Sequence, residues 1–379
     1  MSSSDDPNIP QDVVVEILKR LPVESLLRFR CVSRSWRSAI DDPRFVALHL
    51  NHSALDASNW HLLCLHRFDP VQRLCSLFPN VSLALPSQSQ IEIPFGNPAN
   101  QCSFVGSCNG LICVREFSTN GPGETFYLWN LFTRKHKAVP RSGLKHQYLS
   151  AVTLHRVLGF GFDAGSNDYK IVRIFYVLED SGGCLGGPKA RVEIYSLSTD
   201  SWRSLEWEVP AFCGYRTAVF FNGKLHSFAF KFDGPWGKCA DGLIVSFDVA
   251  GEVFDEIALP EEIQKDSGRL IVSVAVLSDL LAVFTSRCGD AYADPKPQSV
   301  CSIWVMRDYG VPKSWTKLYN FEARGMVIGF GGFTCNGELL MEIHSGEPFS
   351  WNLITRQFTN LPLLETCDWV TIAESLVKL

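Results

Sequence analysis

The chain has no apolar run approaching the roughly 18 to 20 residues that span a bilayer. Its first twelve residues, MSSSDDPNIPQD, carry neither the basic stretch nor the apolar core of a secretory signal. A protein of the cytoplasm, the nucleus or both is expected. The chain also lacks an excess of positive charge: 35 Lys and Arg against 40 Asp and Glu leave a net −5, the wrong sign for holding phosphates with a basic face. Another protein, and not nucleic acid or a membrane, is the expected partner. The 13 cysteines contain no CxxC pair. They are odd in number and several sit in apolar strands such as NGLICV, so they read as reduced thiols acting as small hydrophobes. The N-H-S and N-V-S triplets at Asn51 and Asn80 are then chance matches in a compartment without N-glycosylation.

Catalytic signatures are missing as well. There is no HExxH, no nucleophile elbow and no carboxylate pair marked by its context. Gly159, Gly161 and Gly165 in GFGFDAG are followed by no helix to receive a phosphate and read as strand and turn positions. His49, His52, His61, Cys64 and His66 are residue types that zinc takes, but the alternation in WHLLCLH fits a strand as well. No enzyme, metal or cofactor is expected.

What the sequence does contain begins at residues 9–40, IPQDVVVEILKRLPVESLLRFRCVSRSWRSAI. Val14, Ile17, Leu18 and Leu21 recur at i, i+3, i+4 and i+7, with Asp12 in the first turn, and predict an amphipathic helix. Pro22 opens a second helix carrying Leu26, Leu27 and Phe29, and Ser33 caps a third carrying Trp36, Ala39 and Ile40 before Pro43 stops it. About 40 residues rarely sustain a core alone. The surplus apolar surface requires a partner, which periodicity leaves open between the rest of the chain and a second protein.

The stretch closely resembles the F-box, on Ile9, Pro10, Asp12, Glu16 to Leu18, Arg20 to Pro22, Ser25 to Ser33, Ser35 to Arg37, Ile40, Asp42, Pro43 and Phe45. Ile9 stands where the family often has Leu, a near-isosteric change. The resemblance implies docking onto the Skp-type adaptor, and through it the cullin and RING subunits, of a ubiquitin ligase. It also implies that Pro10, Ile17, Leu18, Leu21, Pro22, Leu26, Leu27, Val32 and Trp36 contact the adaptor or support that contact.

Downstream, a pattern repeats five times: LWNLFTRKHKAVP (128–140), IYSLSTDSWRSLE (194–206), SFDVAGEVFDEIALP (246–260), VMRDYGVPKSWTKLY (305–319) and SWNLITRQFTNLP (350–362). Each sets two large side chains across a tight turn: Trp129/His136, Tyr195/Trp202, Phe247/Phe254, Met306/Trp315 and Trp351/Phe358. Four of the pairs are seven residues apart, which suits a hairpin, and the fourth repeat is longer by two. A second hairpin lies upstream of each, three of them marked by Asn-Gly at 109–110, 222–223 and 336–337. Each unit reads as a four-stranded propeller blade. The unpartnered strands at 60–66, 73–78 and 369–379 predict a sixth blade closed from both ends of the chain.

The expected organisation is an N-terminal stretch 1–8, a three-helix all-α F-box over 9–50, a linker over 51–59 and an all-β propeller of six blades over 60–379. GSCNGLICV, LWNLFTRKHK, LGFGFD, NDYKIV, VEIYSLSTDSWR and ESLVKL make the body resemble the F-box-associated domain of plant F-box proteins, including the branch of the pollen S-locus F-box proteins. The implied function is substrate recognition for ubiquitination and proteasomal degradation, with a glycan or small ligand on the propeller as the alternative occupant. The long connections between second and third strands emerge together on one face, which makes them binding loops or tolerated insertions. Phe117, Phe232, Trp236 and Tyr292 set large rings in them, and Asp233, Asp290 and Asp294 would select a basic partner.

Overall fold

A computed structural model describes residues 10–66, 73–79, 89–118, 123–143, 153–177, 189–205, 212–213, 217–232, 239–264, 270–288, 298–323, 325–334, 336–344, 348–361 and 367–379. It begins with four helices: α1 (Gln11–Leu18), α2 (Val23–Phe29), α3 (Arg34–Asp41) and α4 (Pro43–Leu55). Ser33 caps α3 as expected, its hydroxyl accepting from the Trp36 amide at 3.2 Å. Pro43 ends α3, and it also opens a fourth helix that the three-helix expectation missed. Proline costs nothing at a first helical position, and the Asp42 carboxylate accepts from the Arg44 amide at 2.8 Å to cap the turn. That helix runs past residue 50 to Leu55, and a 3₁₀ turn, Ala57–Asn59, leads directly into the first strand.

The rest is a ring of six antiparallel sheets. Blade 1 comprises Gln101–Cys108, Leu111–Phe117, Glu124–Asn130 and Lys135–Ala138. Blade 2 comprises Thr153–Asp163, Asp168–Val177, Lys189–Ser196 and Ser201–Leu205. Blade 4 comprises Ile271–Leu277, Leu280–Cys288, Ser299–Met306 and Trp315–Glu322. Blade 5 comprises Val327–Phe333, Glu338–Ile343, Pro348–Asn352 and Phe358–Asn360. All five side-chain pairs read from the repeat are directly opposed register partners of a third and fourth strand. The tight turns between them are held by a short polar side chain. Asn130 Oδ1 accepts from the Phe132 and Thr133 amides, Asp248 from Ala250 and Gly251, and Asn352 from Ile354 and Thr355.

Blade 3 has five strands, not four. Phe212–Cys213 and Val219–Phe221 both pair with Lys224–Phe232, followed by Cys239–Asp248 and Phe254–Ala258. The inner strand is split because the chain between the two pieces turns aside to blade 2: Leu158 bridges Thr217, and the Ala218 amide donates to the Leu158 carbonyl at 2.7 Å.

The sixth blade is closed from both ends as expected. Cys367–Ala373 pairs along its whole length with Trp60–His66, which continues to Leu74–Pro79 and Ser89–Glu92. Cys367–Ala373 thereby becomes the inner strand, beside the inner strands of blades 1 and 5. Residues 374–379, expected to continue that strand, leave the sheet instead as an extended tail.

Blades pack closely where the glycines of GFGF stand. A Cβ on Gly159 would lie 2.6 Å from Leu225, and one on Gly161 would lie 2.7 Å from Phe220, so these glycines serve blade contact. Five of the thiols among the described residues behave as core groups, while Cys31 is exposed and Cys102 half-buried. Cys64, Cys75, Cys108, Cys113 and Cys301 are buried, and burial pushes the Cys108 thiol up to about 12 and the Cys301 thiol up to about 11.

Candidate functional site

The F-box residues divide by depth. Leu18 and Leu26 are interior, packed with Val23, Ile40 and Phe45, while Leu21, Leu27 and Trp36 are half-buried against that core. Trp36 meets Phe29 edge-on with ring centroids 5.0 Å apart. Pro10 and Pro22 stand exposed at the N-termini of α1 and α2. Ile17 is 53% exposed and Val32 71%, values at which an aliphatic side chain keeps most of its apolar surface in water. The residues expected to act together are therefore two groups, a core and a presented surface. Val13, 42% exposed on α1, belongs to the second group and was missed by the sequence reading.

Three of the four histidines considered as metal ligands have other duties. His49 Nε2 donates to the Leu21 carbonyl at 3.0 Å, bracing α4 against the α1–α2 turn, and His66 Nε2 lies 2.9 Å from the Ser76 hydroxyl. His61 packs against Phe132 at 5.2 Å. Burial lowers the pKa of both His49 and His61, favouring neutral rings.

The helical module sits on one end of the ring. Phe132, in the tight turn between the third and fourth strands of blade 1, packs both into the F-box core and into the core between blades 6 and 1. Ser375, next to the F-box residue contact Leu376, lies against Gly110 in the first hairpin turn of blade 1. Both turns belong to the short-turn end of the blades. In an up-and-down blade the connections between second and third strands leave from the opposite end. The F-box therefore covers the end of the ring opposite to the one from which the connections between second and third strands leave.

Of the residues expected in those loops, Asp233, Trp236, Asp290, Tyr292 and Asp294 lie outside the described residues, and Phe232 is described only as the last backbone position of its strand. Phe117 is the final residue of a strand, half-buried, with the Arg115 guanidinium 4.5 Å from its ring centroid. That guanidinium is itself held. Arg115 Nε donates to Glu124 at 2.6 Å, Glu124 accepts from Arg173 of blade 2 at 2.7 Å, and Arg173 also pairs with Glu193 and lies over Trp202. Two acids and two arginines, all largely buried, tie blade 1 to blade 2 beneath the loop face. Sequence reading did not find this network, because charged residues alternating along a strand look the same as a solvent-facing row.

Comparison with known proteins agrees with this architecture. A family model described as the F-box domain matches residues 7–48, and one described as the F-box associated beta propeller domain matches residues 70–358. The F-box protein CPR1 of Arabidopsis thaliana is 29% identical over 85% of this chain and 75% of its own length. F-box protein At3g07870 of the same plant is 28% identical over 83% of this chain and 72% of its own. F-box/kelch-repeat protein At3g23880, also from Arabidopsis thaliana, is 28% identical over 82% and 79%. Among solved structures, TolB from Acinetobacter baumannii aligns over 87% of this chain and 73% of its own with a TM-score of 0.48 at 11% identity. With helices and blades matched in order along nearly the whole chain, it belongs to the plant F-box proteins that carry an F-box associated β-propeller domain.

Proposed function

We propose that this protein is the substrate-recognition subunit of a Skp–cullin–F-box ubiquitin ligase, acting in the cytoplasm, the nucleus or both. The F-box would bind the Skp-type adaptor through the exposed residues Pro10, Val13, Ile17, Pro22 and Val32 together with the half-buried Leu21, Leu27 and Trp36. The propeller would hold a target protein on its loop face. No catalytic group is assigned to this chain. The ubiquitin-conjugating enzyme brings the chemistry, and the chain contributes proximity, turning transfer to a target lysine into an effectively intramolecular step.

The observation that carries this reading is the exposure of Ile17 and Val32, together with Val13, on a module whose core of Leu18, Val23, Leu26, Ile40 and Phe45 is already packed. Apolar surface left in water on an otherwise satisfied module is what an interface presents. The test is co-purification of the full chain with a plant Skp-type adaptor and cullin. Recovery from wild type, and its loss in an Ile17→Asp, Val32→Asp variant with an unchanged melting curve, supports the assignment. Equal recovery from both overturns it.

A further inference from the structure

The six residues Glu374-Ser-Leu-Val-Lys-Leu379 leave the inner strand of blade 6 and run between the F-box and blade 1, and their side chains alternate between the two. On the F-box side, Glu374 Oε2 accepts from the Val23 amide at 2.8 Å. That amide opens α2, whose N-cap is Pro22 and whose start has no side-chain cap from its own module. Leu376, 5% exposed, completes the cluster of Leu18, Val23, Leu26, Ile40 and Phe45. Lys378 Nζ lies 3.3 Å from Asp41, the carboxylate that also receives Arg30 at 2.9 Å, at the end of α3.

On the propeller side, Asn130 Nδ2 donates to the carbonyls of Ser375 at 3.0 Å and Val377 at 2.9 Å, while Val377 and Leu379 pack into the core between blades 1 and 2. A Cβ on Gly110 would lie 2.2 Å from the Ser375 Cβ, so the turn passes the segment only because that position is glycine. The Glu374 amide donates to the Asn59 carbonyl at 3.0 Å, tying the segment to the end of the helical module as well.

A helix of seven residues does not hold itself, and a four-helix module of this size is short of core. Both deficits are made good by the same segment: one carboxylate supplies the missing cap and one leucine supplies missing core. We propose that Glu374–Leu379 is a two-faced strap that completes the fold of the F-box and locks it onto blade 1, so that adaptor binding depends on positioning residues more than 320 positions away from the helices they serve. The strap continues from the strand that closes the ring, so closing the propeller and completing the F-box are one event. Its consequence for the ligase is a fixed distance and direction between adaptor and loop face, and the functional part of the inference rests on the adaptor-binding reading above.

The test uses the full chain and reads two quantities: amide hydrogen exchange across α2 and across blades 3 to 5, and affinity for a Skp-type adaptor by titration. Glu374→Ala removes the cap and should speed exchange in α2 about fivefold, whereas Glu374→Gln keeps an acceptor and should stay near wild type. Asn130→Asp keeps the Oδ1 that holds its turn but sets an acceptor against two carbonyls. It should release the strap, speed exchange in α2 and α3 by about tenfold or more, weaken adaptor affinity by about the same factor, and leave blades 3 to 5 unchanged. Deletion of 374–379, which spares the closing strand, should do the same. The inference is overturned if α2 exchanges as in wild type in Glu374→Ala and Asn130→Asp, or if Gln at 374 behaves as Ala does. Should wild type itself fail to bind the adaptor, the functional reading falls, and the exchange measurements still decide the strap.

Discussion

Aspartate at Val32 and aspartate at Leu26 are the same chemical insult at two depths of one module. Val32 is 71% exposed and Leu26 fully buried, so the first change removes presented surface while the second forces a charge into the core. Val32→Asp should abolish adaptor binding with less than about 0.5 kcal/mol of lost stability; Leu26→Asp should unfold the helical module outright, read by circular dichroism and chemical denaturation. Helical periodicity found Leu26, the family resemblance added Val32, and neither gave this division. Periodicity reports one apolar face per helix, whereas depth is set by how the helices cross and by Leu376, a residue no local pattern connects to them. A second residue with a sharp consequence is His226. It is buried between blades 3 and 4, its Nε2 accepting from the Tyr309 hydroxyl at 2.7 Å while Nδ1 faces the Val219 carbonyl. Burial holds its pKa down at about 4 against 6.5 for the free ring. The folded state thus refuses a proton that the unfolded chain accepts, so the stabilisation is complete above about pH 6.5 and is lost as pH falls towards 4, by roughly 3 kcal/mol in all. Melting curves at pH 7 and pH 5 should show this loss, and His226→Gln should flatten it; His49 and His61, also lowered by burial, leave a residual slope of the same sign. Tyr309 reaches His226 from the two-residue insertion that sets the fourth repeat apart, a length difference plain in the sequence whose purpose was not.

Whole strands were more legible than single contacts. Ring pairs such as Trp129 with His136 and Trp351 with Phe358 gave the register of third and fourth strands, because a tight turn fixes which residues oppose. Two of the three Asn-Gly signals became turns with both central residues at positive φ: Asn109 at 52° with Gly110 at 77°, and Asn222 at 50° with Gly223 at 73°. The sequence was mute on the split inner strand of blade 3, which answers to Leu158 of the neighbouring blade. The closing strand allows a clean separation of roles. Removing Cys367–Leu379 takes away the inner strand of blade 6 and exposes the edge of Trp60–His66. That variant should aggregate or lose cooperative unfolding in calorimetry, whereas deletion of 374–379 alone should keep a cooperative propeller transition. If both deletions melt like the full chain, the ring does not need its closing strand.

At the scale of the whole molecule, the helical module covers part of the short-turn end, and the connections between second and third strands leave from the other end. On the proposed function, an adaptor bound to α1 and α2 stands on the far side of the propeller from any target held at that other end, and the ring itself becomes the spacer. The lengths of the connections single out one end of the blades in the sequence, while nothing in residues 9–55 says which end of a ring they will cover. Opposite placement makes the two functions separable by mutation. Trp236→Ala with Tyr292→Ala, in connections that leave from the loop end, should reduce capture of the target protein at least thirtyfold, the effect of losing one aromatic anchor of about 2 kcal/mol, with adaptor affinity unchanged. Ile354→Asp is the matched control, since Ile354 is 85% exposed in a short turn of blade 5 on the F-box side. Capture is measured by quantitative pull-down from plant extract with proteasome activity blocked, comparing each variant with wild type. If Ile354→Asp removes the captured protein and the loop double variant retains it, the target binds on the same side as the adaptor, and the ring is not the spacer between them.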